Sequence, residues 1–570
     1  MKISRRDSIK ALATAVSAMY LPSAFGDSAT TMTTAPSASP AAPPAEPRAL
    51  PPAPTPIPAP EGFGVAAGPF KPELESLSAW KVPDWYRDAK LGIWAHWGPQ
   101  CQPEMGDWYA QRMYQFNSPI YKFHVQKYGH PSQFGFKDVV NEWKADKWDP
   151  QQLIALYKRA GAKFFAAMAN HHDNFDMFDS TYQPWNSVKI GPKKDIVGGW
   201  EKASREAGLK FAITCHGDRA WSWYQLAQES DTSGPLKGVP YDGRTPKAEG
   251  AGKWWDGLDP QDYYAQYHEP GHYDWPQNGN PPIDKAFCEK FFKRIIDLID
   301  KHSPDLLYFD DTVMPIYPPS DVGPRIAAYL YNTNLAKNGT LEAVMTGKGL
   351  NGRNLPWRNA LLLDVERGVT NGGETQPWQT DTCIGDWHYR RSLFEQHKYK
   401  SSLQVIQMLV DIVSKNGNLM LNIPVRGDGT IDDDEVKVLE GLAQWIQPNG
   451  EAIYATRPAK IYGEGPSTAT QPKGQFGGAR DVRKYTAEDY RFTAKGDILY
   501  AFMMAWPDNG KATIKSLAEG SENFPKAIAR VELLGVDGPL QFTRDGGGLA
   551  VTLPETKPGD YAYALKVTPA

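Results

Sequence analysis

Leu306-Leu307-Tyr308-Phe309-Asp310-Asp311 is a short apolar run that stops at two adjacent carboxylates. A run of that length, closed by polar residues, reads as a strand buried on both faces. Carboxylates at the mouth of such a strand are costly to desolvate unless pairing or chemistry uses them. The pattern repeats upstream. Ile93-Trp94-Ala95 runs into His96-Trp97-Gly98, Phe164 to Ala169 into Asn170-His171-His172-Asp173, and Phe211 to Thr214 into Cys215-His216-Gly217-Asp218. Buried strands that each finish in His or Asp predict an enzyme built on a barrel, with its working groups on one rim.

The stretches between these strands carry helix signals. Asp149-Pro150 opens a helix whose Leu153, Ile154, Leu156 and Tyr157 recur at helical spacing, and Gly161 closes it before the Phe164 strand. Gly199 to Ala207 repeats the scheme before Phe211, and Asp284 to His302 carries Phe287, Phe291, Ile295, Leu298 and Ile299 on one face. Alternation of this kind over residues 69–458 predicts a (β/α)8-like (TIM-type) barrel, with long loops such as 225–280 above its rim. Residues 459–570 read differently. Ile498 to Phe502, Ala529 to Leu534, Leu549 to Leu553 and Tyr561 to Val567 are short strand candidates split by Gly, Pro and Asp, the pattern of a C-terminal antiparallel β-sandwich. Its simplest role is to pack against the barrel.

The chain has 570 residues, 41% hydrophobic and 22% charged, as in globular proteins of two or three domains. A formal net charge of -4 gives no reason to expect nucleic acid or an anionic membrane surface as partner. Nineteen Trp and 27 Tyr exceed ordinary core needs, and Trp97, Trp108, Trp185, Trp221, Trp223, Trp378 and Trp387 sit in polar, Gly-rich context. Aromatic faces stack on sugar rings, so a carbohydrate ligand is expected; the alternative is Trp at half-buried packing positions. Cys101, Cys215, Cys288 and Cys383 lie far apart and specify neither a disulfide framework nor a zinc site. Cys215 reads as a strand residue rather than a nucleophile.

At the N-terminus, Ser4-Arg5-Arg6-Asp7-Ser8-Ile9-Lys10 precedes a mild apolar stretch to Leu21 and the small residues Ala24-Phe25-Gly26. Residues 1–26 thus resemble a twin-arginine export signal and predict a periplasmic or extracellular protein, without membrane insertion of the mature chain. Residues 27–68 are rich in Pro, Ala, Ser and Thr and read as a disordered linker.

The strand ends also carry a family resemblance. Lys90-Leu91-Gly92-Ile93-Trp94-Ala95-His96-Trp97-Gly98 resembles the "FGIFIHWG" segment of glycoside hydrolase family 29, the retaining α-L-fucosidases, and Asp107-Trp108-Tyr109 stands where that family has Glu-Trp-Tyr. Ala160-Gly161-Ala162-Lys163 through His171-His172-Asp173-Asn174-Phe175 is similar to "AGAKY…KHHDGF", continued by Phe178-Asp179-Ser180 and Trp185-Asn186. Leu307-Tyr308-Phe309-Asp310 matches "LWFDG", and Ser414 to Ile423 and Asn449 to Tyr454 match late segments of the catalytic domain. These matches fall in order along residues 80–458.

The resemblance implies retaining hydrolysis of terminal α-L-fucose on an oligosaccharide or glycoconjugate, with no cofactor or metal. Asp310 would be the nucleophile, and the acid/base a second carboxyl roughly 5–5.5 Å away. His96, His171, His172 and His216 would bind the sugar hydroxyls, and Trp97, Trp108, Tyr109, Tyr308 and Trp378 would line the pocket. The chain departs from the family in three places. Asp311 replaces Gly and, by strand alternation, should point away from Asp310 toward a cation. Asp107 is one carbon shorter than the family Glu. Pro377-Trp378-Gln379 has Gln where some members carry the acid. Glu366, in Leu361-Leu362-Leu363-Asp364-Val365-Glu366-Arg367-Gly368, is the first replacement, because a strand end positions an acid better than a loop; Glu374 is the alternative. Two rival classes are a metal-dependent barrel hydrolase using His96, His171, His172, His216 and Asp310, and a non-catalytic sugar-binding relative. Adjacent His171 and His172 on an extended segment should point apart, which counts against a shared ion. A third reading keeps the glycosidase chemistry on a close relative of the L-fucose ring. Nothing in the sequence specifies an oligomeric state.

Overall fold

The computed structural model describes residues 65–264, 285–370, 372–469 and 484–570. The expected export signal, the linker as far as residue 64 and residues 265–280 of the long loop lie outside the described residues. Eight parallel strands close into a barrel: β1 (Leu91–Ala95), β2 (Phe164–Asn170), β3 (Lys210–Cys215), β4 (Leu306–Phe309), β5 (Val344–Lys348), β6 (Leu362–Asp364), β7 (Trp378–Cys383) and β8 (Gly417–Asn422). Strand β8 returns to β1 with Leu91 opposite Leu419 and Trp94 opposite Asn422.

The register decides what meets at the rim. Cys215 lies opposite Phe309, so the next residues, His216 and Asp310, emerge side by side. Lys348 lies opposite Asp364 across β5 and β6. At the other end the barrel is plugged. The Phe164 ring lies across Gly92, where an added Cβ would come within 2.1 Å of its Cζ, so only glycine fits there. Tyr86, on the helix Asp84–Ala89, is buried and donates its hydroxyl proton to Gln379 Oε1 at 2.9 Å.

Asp149 caps the helix Pro150–Arg159 by accepting from the Gln152 N–H, and that helix buries Leu153, Ile154 and Tyr157. The next helix runs Ile196–Glu206, starting earlier than its sequence suggested. Asp195 is its cap, and Gly198 and Gly199 lie inside the first turn, where the Trp148 ring occupies the space above Gly199. The helix Lys285–His302 buries Phe291, Ile295, Leu298 and Ile299 behind β4.

The C-terminal strands are β9 (Arg457–Glu464), β10 (Tyr490–Lys495), β11 (Ile498–Met503), β12 (Lys511–Ile514), β13 (Ile528–Leu533), β14 (Phe542–Asp545), β15 (Gly548–Thr552) and β16 (Tyr563–Pro569). They form antiparallel sheets in the orders β13-β16-β11-β10-β9 and β12-β15-β14. Strand alternation divides β11 between two cores: Leu499, Ala501 and Met503 face the smaller sheet, whereas Tyr500 and Phe502 join the barrel's core. Arg491 of β10 crosses the joint and donates through Nε to Asp411 Oδ1 at 2.6 Å, while Lys415 Nζ holds Asp411 Oδ2 at 2.7 Å. No helix among the described residues is long and apolar enough to cross a membrane.

Candidate active site

Asp310 follows β4, and its backbone N–H donates to Cys215 O at 3.3 Å. Its Oδ1 accepts from Lys348 Nζ at 2.6 Å. Its Oδ2 faces His216 Nδ1 at 3.4 Å and His172 Nε2 at 3.5 Å. Burial by itself would raise the Asp310 pKa, but the Lys348 ammonium and the two imidazoles hold it well below the usual carboxylate range.

Lys348, the last residue of β5, also reaches Glu366 Oε2 at 2.7 Å. Two oxygens that share one ammonium at 2.6 and 2.7 Å stand at most about 5.3 Å apart, short of the ~6.5–9.5 Å of inverting glycosidases. Glu366 lies just past β6, where the N–H groups of Val365 and Arg367 donate to Gln379 O and Asp381 O at 2.9 and 2.8 Å. The β6–β7 pairing therefore continues through the acid and fixes its backbone. Burial raises Glu366 to about 7, Lys348 pulls it down, and Asp310 and Asp381 push it up. One cation thus separates an ionised carboxylate from a carboxyl that holds its proton near neutrality.

A cavity of about 450 Å³ surrounds this pair, lined in part by Trp94, His96, Trp108, His171, His216 and Trp387. Burial leads the causes that lower His96 and His171 well below the ordinary imidazole value and His216 to about 4. Neutral imidazoles keep one donor and one acceptor each, which suits hydroxyl ligands. Trp108 presents its indole from a left-handed backbone (φ 63°), a conformation that costs a bulky residue energy. Beneath the cavity Tyr308 donates its hydroxyl proton to Asp381 Oδ2 at 2.8 Å. A second cavity of about 610 Å³, lined by residues such as Phe123, Arg391 and Arg426, contains none of the strand-end His or Asp groups.

Several expected site residues sit elsewhere. Trp97 is packed among Trp143, Trp148 and Trp200, its Nε1 donating to Arg426 O, so it is a core residue and does not line the pocket. Tyr109 is fully buried with its hydroxyl on His124 Nδ1 at 2.7 Å, because the left-handed turn at Trp108 sends it away from the cavity. Trp378 points outward from β7 over Gly417 and donates to Lys415 O. Glu374 pairs with Arg358 at 3.0 Å and is not among the residues lining the cavity. Gln379 faces the barrel interior and donates to Asp364 Oδ1 at 2.8 Å, two residues below Asp381 on the same strand; a carboxylate there would not reach the rim. Asp311 accepts from Arg219 at 2.5 Å, the cation expected for it, but both lie in the wall of the same cavity as Asp310: β4 ends at Phe309, so alternation does not carry Asp311 to the far side.

The argument that His171 and His172 diverge also needs correcting. Strand β2 ends at Asn170, and the Asn174 N–H closes a turn onto His171 O, so alternation no longer applies and the two rings lie 4.3 Å apart. Two trios, His96–His171–His388 and His171–His172–His216, bring their nitrogens within 4.8 Å of one another, a spacing that could hold an ion.

Sequence reasoning missed Lys348, Asp381, His388 and Arg367 as members of this wall, whereas Trp387 was among the Trp residues read as sugar-stacking. The signal for Lys348 was present, since Val344-Met345-Thr346-Gly347-Lys348 is another strand running into a charge. Asp107 was placed correctly in sequence, but its partner was not: it accepts from the His388 backbone N–H at 2.7 Å.

With this geometry in view, comparison with known proteins is specific. The family model described as "Alpha-L-fucosidase" matches residues 61–451, and that of the "Alpha-L-fucosidase C-terminal domain" matches residues 484–568. The rat tissue alpha-L-fucosidase is 24% identical over 519 residues, covering 89% of this chain and 94% of its own. The human plasma alpha-L-fucosidase is 26% identical, covering 88% and 92%. Among solved structures, the Thermotoga maritima alpha-fucosidase in complex with a mechanism-based inhibitor superposes with a TM-score of 0.64 at 25% identity, over 88% of this chain and 100% of that one. A rim of strand-end His and Asp groups, a C-terminal pair of sheets and a family match over most of the chain agree: this protein belongs to the α-L-fucosidase family of glycosidases.

Proposed function

We propose that the chain is an exo-acting, retaining α-L-fucosidase that releases terminal α-L-fucose from glycans or glycoconjugates through a covalent glycosyl-aspartate on Asp310. The observation that carries this reading is the Lys348 ammonium held between Asp310 and Glu366. Asp310 is ionised and can attack the anomeric carbon, while Glu366 carries a proton for the departing oxygen. In the second half-reaction Glu366, now ionised, takes the proton of the attacking water, and the bond to Asp310 breaks. His96, His171 and His216 would receive the sugar hydroxyls, Trp94 and Trp108 its apolar faces, and His172 would steady Asp310 from behind. The twin-arginine-like segment at residues 1–26 supports an exported, periplasmic or extracellular enzyme.

Turnover of an activated aryl α-L-fucoside tests the reading. Asp310→Asn should abolish it. Glu366→Gln should cost about 10²–10⁴-fold on fucosides with a poor leaving group and little on the activated one; Glu374→Gln should be silent on both. Equal loss on both substrates for Glu366→Gln would remove it as the acid. The imidazole trios favour one other reading, a metal-dependent hydrolase, which predicts that exhaustive chelation abolishes turnover.

A further inference from the structure

His388 belongs to no strand end and stands on the loop after β7. Its ring is 1% exposed; Nδ1 faces Asp107 Oδ1 at 3.5 Å, and Nε2 has no hydrogen-bond partner among the described residues. A buried imidazole nitrogen left unpaired loses its water contacts without replacement, which a protein rarely tolerates unless a ligand completes the set. The ring stands against His96 and His171, with centroids at 4.6 and 4.8 Å, and both His96 nitrogens are unpaired as well. His171 Nδ1 is held by Gln100 Nε2 at 2.8 Å, which leaves its Nε2 for the cavity.

Three nitrogens no more than 4.8 Å from one another enclose a point within about 2.8 Å of each, an ordinary hydrogen-bond length. An oxygen at that point can give one proton and accept others, which is what a hydroxyl does. Asp107 supplies the orientation. Its Oδ1 accepts from the His388 backbone N–H at 2.7 Å and faces Nδ1 at 3.5 Å, so the carboxylate favours the proton on Nδ1 and leaves the Nε2 lone pair for the cavity.

We infer that His388 is a third arm of a seat for one ring hydroxyl of the sugar, shared with His96 and His171, and that Asp107 acts through it as a positioning residue. The inference rests on the fucosidase reading and adds a binding residue to it. The test compares an aryl α-L-fucoside with its 2-, 3- and 4-deoxy analogues. For the wild type, one analogue should lose about 10–100-fold or more in kcat/KM. His388→Ala should lose a similar factor on the parent fucoside but little further on that one analogue, while its losses on the other two multiply. His388→Gln, which keeps a donor and an acceptor, should restore part of the coupling, and Asp107→Asn should weaken the same coupling and no other. Thermal melting of each variant identifies one that has failed to fold, and the Gln variant then carries the test. Losses that multiply for all three analogues overturn the inference while leaving the fucosidase reading intact. Absence of wild-type turnover on the parent would instead remove the reading on which it rests.

Discussion

Replacing Lys348 by Met removes a cation that touches both candidate catalytic carboxyls. Its Nζ lies 2.6 Å from Asp310 and 2.7 Å from Glu366, and the Lys348 side chain is 15% exposed, so solvent screens these contacts weakly. An opposite charge this close lowers a carboxyl pKa by roughly 1–3 units, or about 1.4–4 kcal/mol. Without it Asp310 holds its proton to higher pH, and the acid limb of the kcat/KM profile rises by about 1–3 units. Glu366 loses a neighbour that favours ionisation, so the alkaline limb rises as well. Both limbs therefore move the same way, and at pH values below the new acid limb activity falls about tenfold per unit. The assay is kcat/KM against pH on an activated aryl fucoside for the acid limb and on a glycosyl leaving group for the alkaline limb. Thermal melting runs alongside, since removing one partner of a buried ion pair costs about 3–5 kcal/mol. A uniform drop in kcat with both limbs unmoved, or a move toward acid, would refute the assignment of Lys348 as the charge that sets these two groups.

Two further outcomes follow from the joint and from the thiols. Asp411→Ala leaves Lys415 and Arg491 buried without their shared carboxylate and should cost about 3–5 kcal/mol in urea unfolding. Asp411 has a depressed pKa, held down by Lys415 and then Arg491 against burial, so its stabilisation is present above about pH 4 and lost as the pH falls toward the folded value; Asp411→Asn should therefore show a shallower loss of stability between pH 5 and 3 than the wild type. All four cysteines are buried, and burial pushes the Cys101 and Cys383 thiols up to about 12 and Cys215 well above its ordinary value. Iodoacetamide should leave the native enzyme's activity intact, and inactivation at neutral pH would show an accessible thiolate that this structure lacks.

The barrel was legible because strands β1 to β4 and β6 are apolar runs that end in charge or His. Strand β7 shows why the rest was not. Trp378-Gln379-Thr380-Asp381-Thr382-Cys383 is mostly polar, yet all six residues are buried. Most of its polar groups find partners inside the fold, Thr380 Oγ1 on Val365 O and Gly368 O, Gln379 between Tyr86 and Asp364, and Asp381 Oδ2 on the Tyr308 hydroxyl. Polarity at these positions reflects a hydrogen-bonded interior, which periodicity cannot distinguish from a loop. Strand β5 is broken in the same way by Thr346 and Gly347, so Lys348 went unread. The Asp107–His388 contact joins residues 281 apart, and no local spacing encodes it. His171 and His172 failed for another reason: strand alternation was carried past the residue at which the strand ends.

The position of Gln379 then takes on a different meaning. Read as sequence it is an acid lost from a Trp-Glu pair; in the fold it lies below the rim, against Asp364. Four carboxyls, the half-buried Asp310 and Glu366 and the buried Asp364 and Asp381, act on the single ammonium of Lys348. They cannot all be ionised in so dry a place. Burial raises the pKa of both Asp364 and Asp381, and Asp381 pushes Asp364 up further. Burial also raises Glu366, which shares Lys348 but has no imidazole beside it. Asp310 alone combines the ammonium with His172 and His216, and of the four it alone has its pKa driven below the usual carboxylate range. The assignment of nucleophile and acid thus depends on which carboxyl has the most donors within reach. A neutral amide at Gln379 fits that arrangement, because a fifth carboxyl beside Asp364 would compete for the same cation without being able to reach the sugar.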